Sequence, residues 1–355
     1  MARLTRVQQQ ARTRAAVLVA AAQEFAERGY AEAKVDRIAD RAELTRGAVY
    51  SNFPGKRSLY LAVLLEALQD RPAAVSVQPP ADVAEAAEAF ARVWLERLPL
   101  AGDTAAGAQL RAHSVTGVFD DEPGRAAMAA LTQMESLLLA LRLETSRPRE
   151  TRRVRLAELL LTLLHGADHL AQAAPGFGDP FDVTRACRYL AAMEAPDVWD
   201  PPHLPYIGPA QRCADRWEPP AEVIDALTDG PVSCGADSVV VVLGSRRLGM
   251  AEEAVRAART TDLVTIAAVT SDPAEIGALV RLRINALATT LRRVFGPSGS
   301  RVRVVFDFDG SLAAAAGTET ADDAEAAVLI RAGQIVARAT GRGAGHAAAI
   351  AEGER

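Results

Sequence analysis

Between residues 13 and 70, apolar positions recur at three- and four-residue intervals, which predicts short helices with one buried face each. Leu18, Ala22 and Phe25 stand at i, i+4 and i+7 of a helix from about Thr13 to Arg28, with Gly29 suited to the place just past its end. Val35, Ile38, Ala39 and Ala42 repeat the stripe and predict a second helix. Glu43 and Leu44 then make a short turn. Thr45 is a suitable N-cap for a third helix, Arg46 to Asn52, because its hydroxyl can accept a first-turn amide. Phe53 turns back toward the core, Pro54-Gly55 breaks the chain, and Lys56 opens a longer helix through Leu59, Val63 and Leu64 to about Asp70. Residues 1–12 read as a flexible basic arm in front of this head.

Helical spacing continues from Asp82 to Glu194, so 71–195 is expected to be an all-helical body, with helices over 84–98, 105–118, 122–144, 149–174 and 182–193. Residues 156–170 are apolar on so wide a front that they need partners on more than one side, as a symmetric bundle would supply. Residues 196–222, rich in proline, read as an extended connector. Beyond them the period changes. A short helix near Val223 to Leu227 is followed by strand Ser238 to Leu243, helix Leu248 to Arg259, strand Leu263 to Val269, one or two helices from Pro273 to Phe295, strand Arg301 to Phe306, and a hairpin of Ala326 to Ile330 with Gln334 to Arg338. Strands alternating with helices imply a parallel or mixed sheet covered on both faces. The expected fold class is therefore multidomain, with an all-α N-terminal two thirds and an α/β domain over 223–355.

Charge singles out the head. The chain as a whole carries −5, yet residues 1–60 hold eleven Lys or Arg against six Asp or Glu, and both of the chain's lysines, Lys34 and Lys56, lie there. A basic head on an acidic body directs the head toward phosphate. The third helix suits that target: Gly47 and Ala48 leave nothing bulky on its leading face, while Thr45, Arg46, Tyr50, Ser51 and Asn52 offer hydrogen-bonding groups. A helix enters the DNA major groove only with a thin, donor-bearing face.

Residues 13–64 resemble the DNA-binding head of the TetR family of bacterial transcriptional regulators, through Phe25, Gly29, Tyr30, Val35, Ile38, Ala39, Ala42, Thr45, Gly47, Tyr50, Phe53, Lys56 and Leu59. The resemblance implies that the helix from Thr45 to Asn52 reads bases and that Tyr50 and Lys56 meet phosphates. It also implies a homodimer on a pseudo-palindromic operator, released by a small-molecule effector held in the helical body, with the last two long helices making the dimer contact. Two departures stand out. Glu43 occupies the usual turn-glycine position, which strains the turn, and Ala33-Lys34 replaces a Thr-Thr cap.

Trp94, His113, Phe119 and His165 are the candidates for lining the effector cavity, since such sites are apolar with a few polar groups. His165 and His169 are four apart, but no third ligand stands at clear spacing, so no metal or other cofactor is expected. The C-terminal order of strands and helices resembles a thioredoxin-like fold, yet the loop Gly244 to Gly249 lacks its Cys-x-x-Cys. A binding or assembly module is expected there, not an enzyme, with a thiol-sensing regulator or redox enzyme as the alternative and Cys234 as its only support. Asp307-Phe308-Asp309-Gly310 also looks like a phosphatase nucleophile motif, but no lysine follows it, and turn chemistry explains it better. No apolar run of membrane-spanning length and no export leader are read, so a cytoplasmic protein is expected.

Overall fold

The computed structural model describes residues 5–69, 80–99, 103–144, 152–193, 196–235, 237–297 and 300–351. The head consists of α1 (Arg6–Glu32), α2 (Val35–Arg41), α3 (Arg46–Tyr50) and α4 (Lys56–Gln69). Thr5 and Gln8 form a reciprocal capping box that starts α1 at Arg6. Most of the arm expected over 1–12 is thus helical, because that box satisfies the first amides; residues 1–4 lie outside the described residues. Gly29, at φ 71°, breaks α1 before its last turn. At the start of α2, Lys34 provides no side-chain cap. The fully buried Glu24 of α1 accepts the Lys34 amide instead, at 3.4 Å.

The body contains α5 (Val83–Leu95), α6 (Ala105–Arg111), α7 (Glu122–Leu143), α8 (Val154–Ala173) and α9 (Pro180–Ala192). The helix expected over 105–118 stops at Arg111 because His113, at φ 51°, turns the chain and sends the Ser114 amide back to the Gln109 carbonyl. By length and composition α7 could cross a membrane. However, 61% of its most apolar stretch is buried inside the protein, as in a core helix.

The C-terminal region forms a six-stranded mixed sheet in the order β1 (Gln211–Arg216), β8 (Gln334–Thr340), β7 (Glu325–Arg331), β4 (Ser238–Gly244), β5 (Leu263–Val269), β6 (Val302–Phe306). Strands β4, β5 and β6 run parallel, and β7 is antiparallel to β4. Alternate residues of β4 serve different cores: Val239, Val241 and Leu243 join one cluster continuous with head and body, while Val240 and Val242 pack with Leu312 and Trp217 on the other face. Helices α10 (Ala251–Ala257), α11 (Ile276–Phe295), α12 (Ser311–Ala316) and α13 (Ala344–Ile350) complete the region.

Two expectations are corrected here. The connector over 196–222 contains strand β1, which pairs with β8. The helix expected near Val223 to Leu227 is instead β2 (Val223–Asp225), paired with β3 (Gly230–Val232). The cause is Asp225, whose carboxylate accepts the Leu227 amide, the Thr228 hydroxyl and the Val304 amide, holding the turn and tying it to β6.

Helix α11 packs on α4 of the head and on α5 and α7 of the body.

Candidate nucleic-acid interface and internal cavity

The turn between α2 and α3 ends α2 by the Leu44 amide bonding to the Ala39 carbonyl and the Glu43 amide to that of Asp40. That geometry needs a left-handed residue after the helix, and Glu43 takes it at φ 54°. Thr45 then caps α3, its Oγ1 accepting from the Ala48 amide at 3.2 Å. Val49 is buried and anchors the helix, leaving Thr45, Arg46, Gly47, Tyr50 and Ser51 exposed, with Ala48 and Asn52 half-buried. A Cβ placed on Gly47 would meet nothing of this chain closer than Thr45 Oγ1 at 3.9 Å, so nothing within the protein requires glycine there.

The polar groups on this face are not equally available. The Ser51 hydroxyl and the Asn52 amide both donate to the Ala48 carbonyl, each at 2.9 Å. Arg46 lies over the Tyr50 ring at 5.4 Å and pairs with Asp36 at 3.3 Å, both exposed partners it can leave. Lys56 is more committed: its Nζ donates to the carbonyls of Ala31 at 3.0 Å and Ala33 at 3.1 Å and sits 4.7 Å from the Tyr30 ring centroid. Burial pushes its pKa below the usual lysine value. Sequence reasoning missed this tie between the end of α1 and the start of α4. It also missed Glu24, which gathers Arg28, Arg37 and Arg41 within 3.3 to 3.7 Å.

Trp94, His113, Phe119 and His165 all line one cavity of about 350 Å³. Its polar floor is made of two ion pairs. Asp168 Oδ2 accepts from Trp94 Nε1 at 3.1 Å and from Arg97, whose guanidinium stacks on Trp94 at 3.6 Å. Arg283 of α11 binds Glu135 of α7 through Nε at 2.7 Å and through Nη2 as well. Burial lowers the pKa of Arg283, but Glu135 more than offsets it and the net direction is upward. His165 stands edge-on to Trp94, 5.1 Å between centroids, with Arg283 Nη2 3.3 Å from its Nε2. Burial, then the charges of Arg283 and Arg97, push the His165 pKa down to about 3, so the ring is neutral. Asp168 Oδ1 and Arg97 Nε are buried without a hydrogen-bond partner. Among the described residues, no three side chains converge as metal ligands.

The carboxyl ends of β4 and β5, where open α/β sheets hold ligands, are filled by Asp322, which accepts from the hydroxyls of Ser245, Thr270 and Ser271. Asp307 spends both oxygens capping α12, on the amides of Leu312 and Ala313, as turn chemistry predicts. The thiols do not favour a redox reading: burial raises the pKa of Cys187 to about 12 and that of Cys234 above its usual value.

With this geometry in view, the family model for bacterial regulatory proteins of the tetR family matches residues 17–63. Residues 17–63 are a TetR-family N-terminal domain. This TetR-type head is 47% identical over 51 residues to the HTH-type transcriptional activator FasR of Mycolicibacterium smegmatis, a match that covers 14% of this chain and 23% of that protein. The chain thus spans about a quarter of the relative's length. A TetR transcriptional regulator from Rhodococcus sp. RHA1 is similar in structure at 18% identity, covering 52% of this chain and 95% of that one, with a TM-score of 0.33.

Proposed function

We propose that the chain is a cytoplasmic DNA-binding transcriptional regulator that acts as a homodimer, with α3 of each protomer in successive major grooves of a pseudo-palindromic operator. The observation that carries this reading is the exposed, Thr45-capped α3 with its open glycine face, set in a basic head of TetR type. Thr45, Arg46, Gly47, Ala48, Tyr50, Ser51 and Asn52 would face the groove. Dimerisation through α8 and α9 is supported by Leu159, Leu170, Phe177, Phe181, Tyr189 and Met193, large apolar side chains exposed on those helices and the loops at their ends. The repressor mode that the resemblance implies has a counterweight, since the relative with the matching head is called an activator.

The cavity is the proposed effector site. Its buried charges are already paired, Arg97 with Asp168 and Arg283 with Glu135, while the further acid of the lining, Asp120, is exposed, so a net charge held at the floor would be buried uncompensated. A compact neutral molecule suits it, one with an apolar or aromatic body for Trp94 and Phe119. The strand and helix order, with a hairpin antiparallel to β4, supports a thioredoxin-like module, which we read as one that binds or assembles. The decisive experiment is protection of the DNA upstream of the protein's own gene by the full chain. Two protected half-sites about one helical turn apart are expected; no protection at any salt concentration would remove the reading.

A further inference from the structure

Helix α11 belongs to the C-terminal region but touches the head at one end, the cavity in its middle and the body at the other. Its length, 20 residues, corresponds to about 30 Å. Just before its first residue, Glu275 meets Arg57 of α4 at 3.2 Å. In its middle, Leu282, Arg283, Ala286 and Leu287 line the cavity. Near its end, Arg293 makes two hydrogen bonds to Glu96, of 2.5 and 2.8 Å, just past α5.

Arg57 is where these lines meet. Besides Glu275 it binds Asp121, the N-cap of α7, at 2.6 Å, and its guanidinium lies 4.8 Å from the ring centroid of Phe119, which lines the cavity. It follows Lys56 in the first turn of α4, so a displacement of Arg57 moves α4 and with it α1, against which α4, α2 and α3 all pack. A second tie runs beside it: Tyr60 of α4 donates its hydroxyl to the carbonyl of Ser114, another lining residue, at 2.8 Å.

We propose that the C-terminal domain is built into the effector site through α11, and that Arg57, held between Glu275, Asp121 and Phe119, transmits occupancy of the cavity to the DNA-binding head. The proposal rests on the reading of the cavity as an effector site. A rigid helix packed at both ends has few ways to admit a ligand at its middle: it shifts as a body, and the Glu275 end carries the shift to α4. A coupling of this kind typically changes affinity by about 5- to 150-fold.

The test uses the full chain and fills the cavity by mutation, so no effector need be known. Ala286→Phe places a ring in the cavity from α11, and Met128→Phe does so from α7. Glu275→Gln weakens the clamp while keeping its shape. Two readouts are taken on variants whose thermal midpoints show them folded: affinity for the protected DNA, and hydrogen exchange of the α3 and α4 amides without DNA. Filling is expected to change DNA affinity about tenfold and to alter exchange in α3 and α4. Both effects should fall to less than about threefold when Glu275→Gln is added, although Glu275→Gln alone leaves the affinity nearly unchanged. The proposal is overturned if neither filling variant alters exchange, or if Glu275→Gln leaves the effect of filling intact. Exchange effects in the filling variants, alongside a wild type that binds no DNA, would refute the regulator reading and keep the coupling.

Discussion

Arg283 of α11 holds both carboxylate oxygens of Glu135 on α7, a bidentate ion pair in which the Glu135 side chain is 2% exposed and that of Arg283 14%. It joins the C-terminal domain to the body at the cavity floor. Removing one partner leaves the other charge buried and unmatched, so Glu135→Leu should destabilise the protein by about 3–5 kcal/mol. Glu135→Leu with Arg283→Met should cost far less than the sum of the two single changes, because apolar side chains of similar size tolerate the site. A thermodynamic cycle from denaturant unfolding measures this. Simple additivity would show that the pair is not a unit.

Glu43 adopts φ 54° with an exposed side chain. A left-handed conformation costs an ordinary L-residue about 1–2 kcal/mol, from which glycine's greater freedom in the unfolded chain subtracts part. Glu43→Gly should therefore raise stability by about 0.5–1 kcal/mol, read as a higher denaturant midpoint at unchanged slope. An unchanged or lower midpoint would mean that the surrounding turn relaxes without strain.

The head was legible because its signals are local: Thr45 caps its own helix, Phe53 turns back into the core, and Glu43 betrays the strained turn by its position alone. Trp94, His113, Phe119 and His165, chosen for an apolar lining with a few polar groups, do line one cavity, although their role toward a ligand is a proposal. What could not be read is long-range. Glu24 looks like any surface glutamate of a helix until α2 folds over it. Strand β1 was hidden because five of its six residues are exposed, leaving no alternation of apolar and polar to detect. Above all, nothing local in the stretch around Arg283 shows that α11 leaves its own sheet to wall a cavity in another domain.

His165 is kept neutral by burial and by the cations Arg283 and Arg97, which outweigh Glu135 and Asp168, each already paired. The folded pKa is about 3, below the value of 6.5 it has when exposed. Between those values the unfolded chain takes up a proton that the folded one refuses, so stability is full above pH 6.5 and falls as the pH drops toward 3. The contribution of this one group approaches about 1.4 kcal/mol per pH unit within the window. His165→Gln, which keeps an acceptor for Arg283, should flatten the acid side of the stability profile by that slope. A profile parallel to wild type between pH 6 and 4 would mean that the ring titrates normally.

Lys56 and Arg46 should fail differently when removed. Lys56 donates to the Ala31 and Ala33 carbonyls and lies over Tyr30, so Lys56→Ala should lower stability by about 1–3 kcal/mol. If one N–H also reaches a phosphate, affinity should fall for every DNA sequence alike, with the salt slope reduced by about one. Arg46 is exposed and packs only against other exposed groups on the surface. Arg46→Ala should leave the thermal midpoint nearly unchanged and relax base preference at one operator position, a loss of about 1–3 kcal/mol in discrimination. Competition binding against operator and scrambled duplexes at two salt concentrations separates the cases. A salt slope unchanged by Lys56→Ala would make that lysine a purely structural tie between α1 and α4, and equal losses on both duplexes for Arg46→Ala would take base reading away from Arg46.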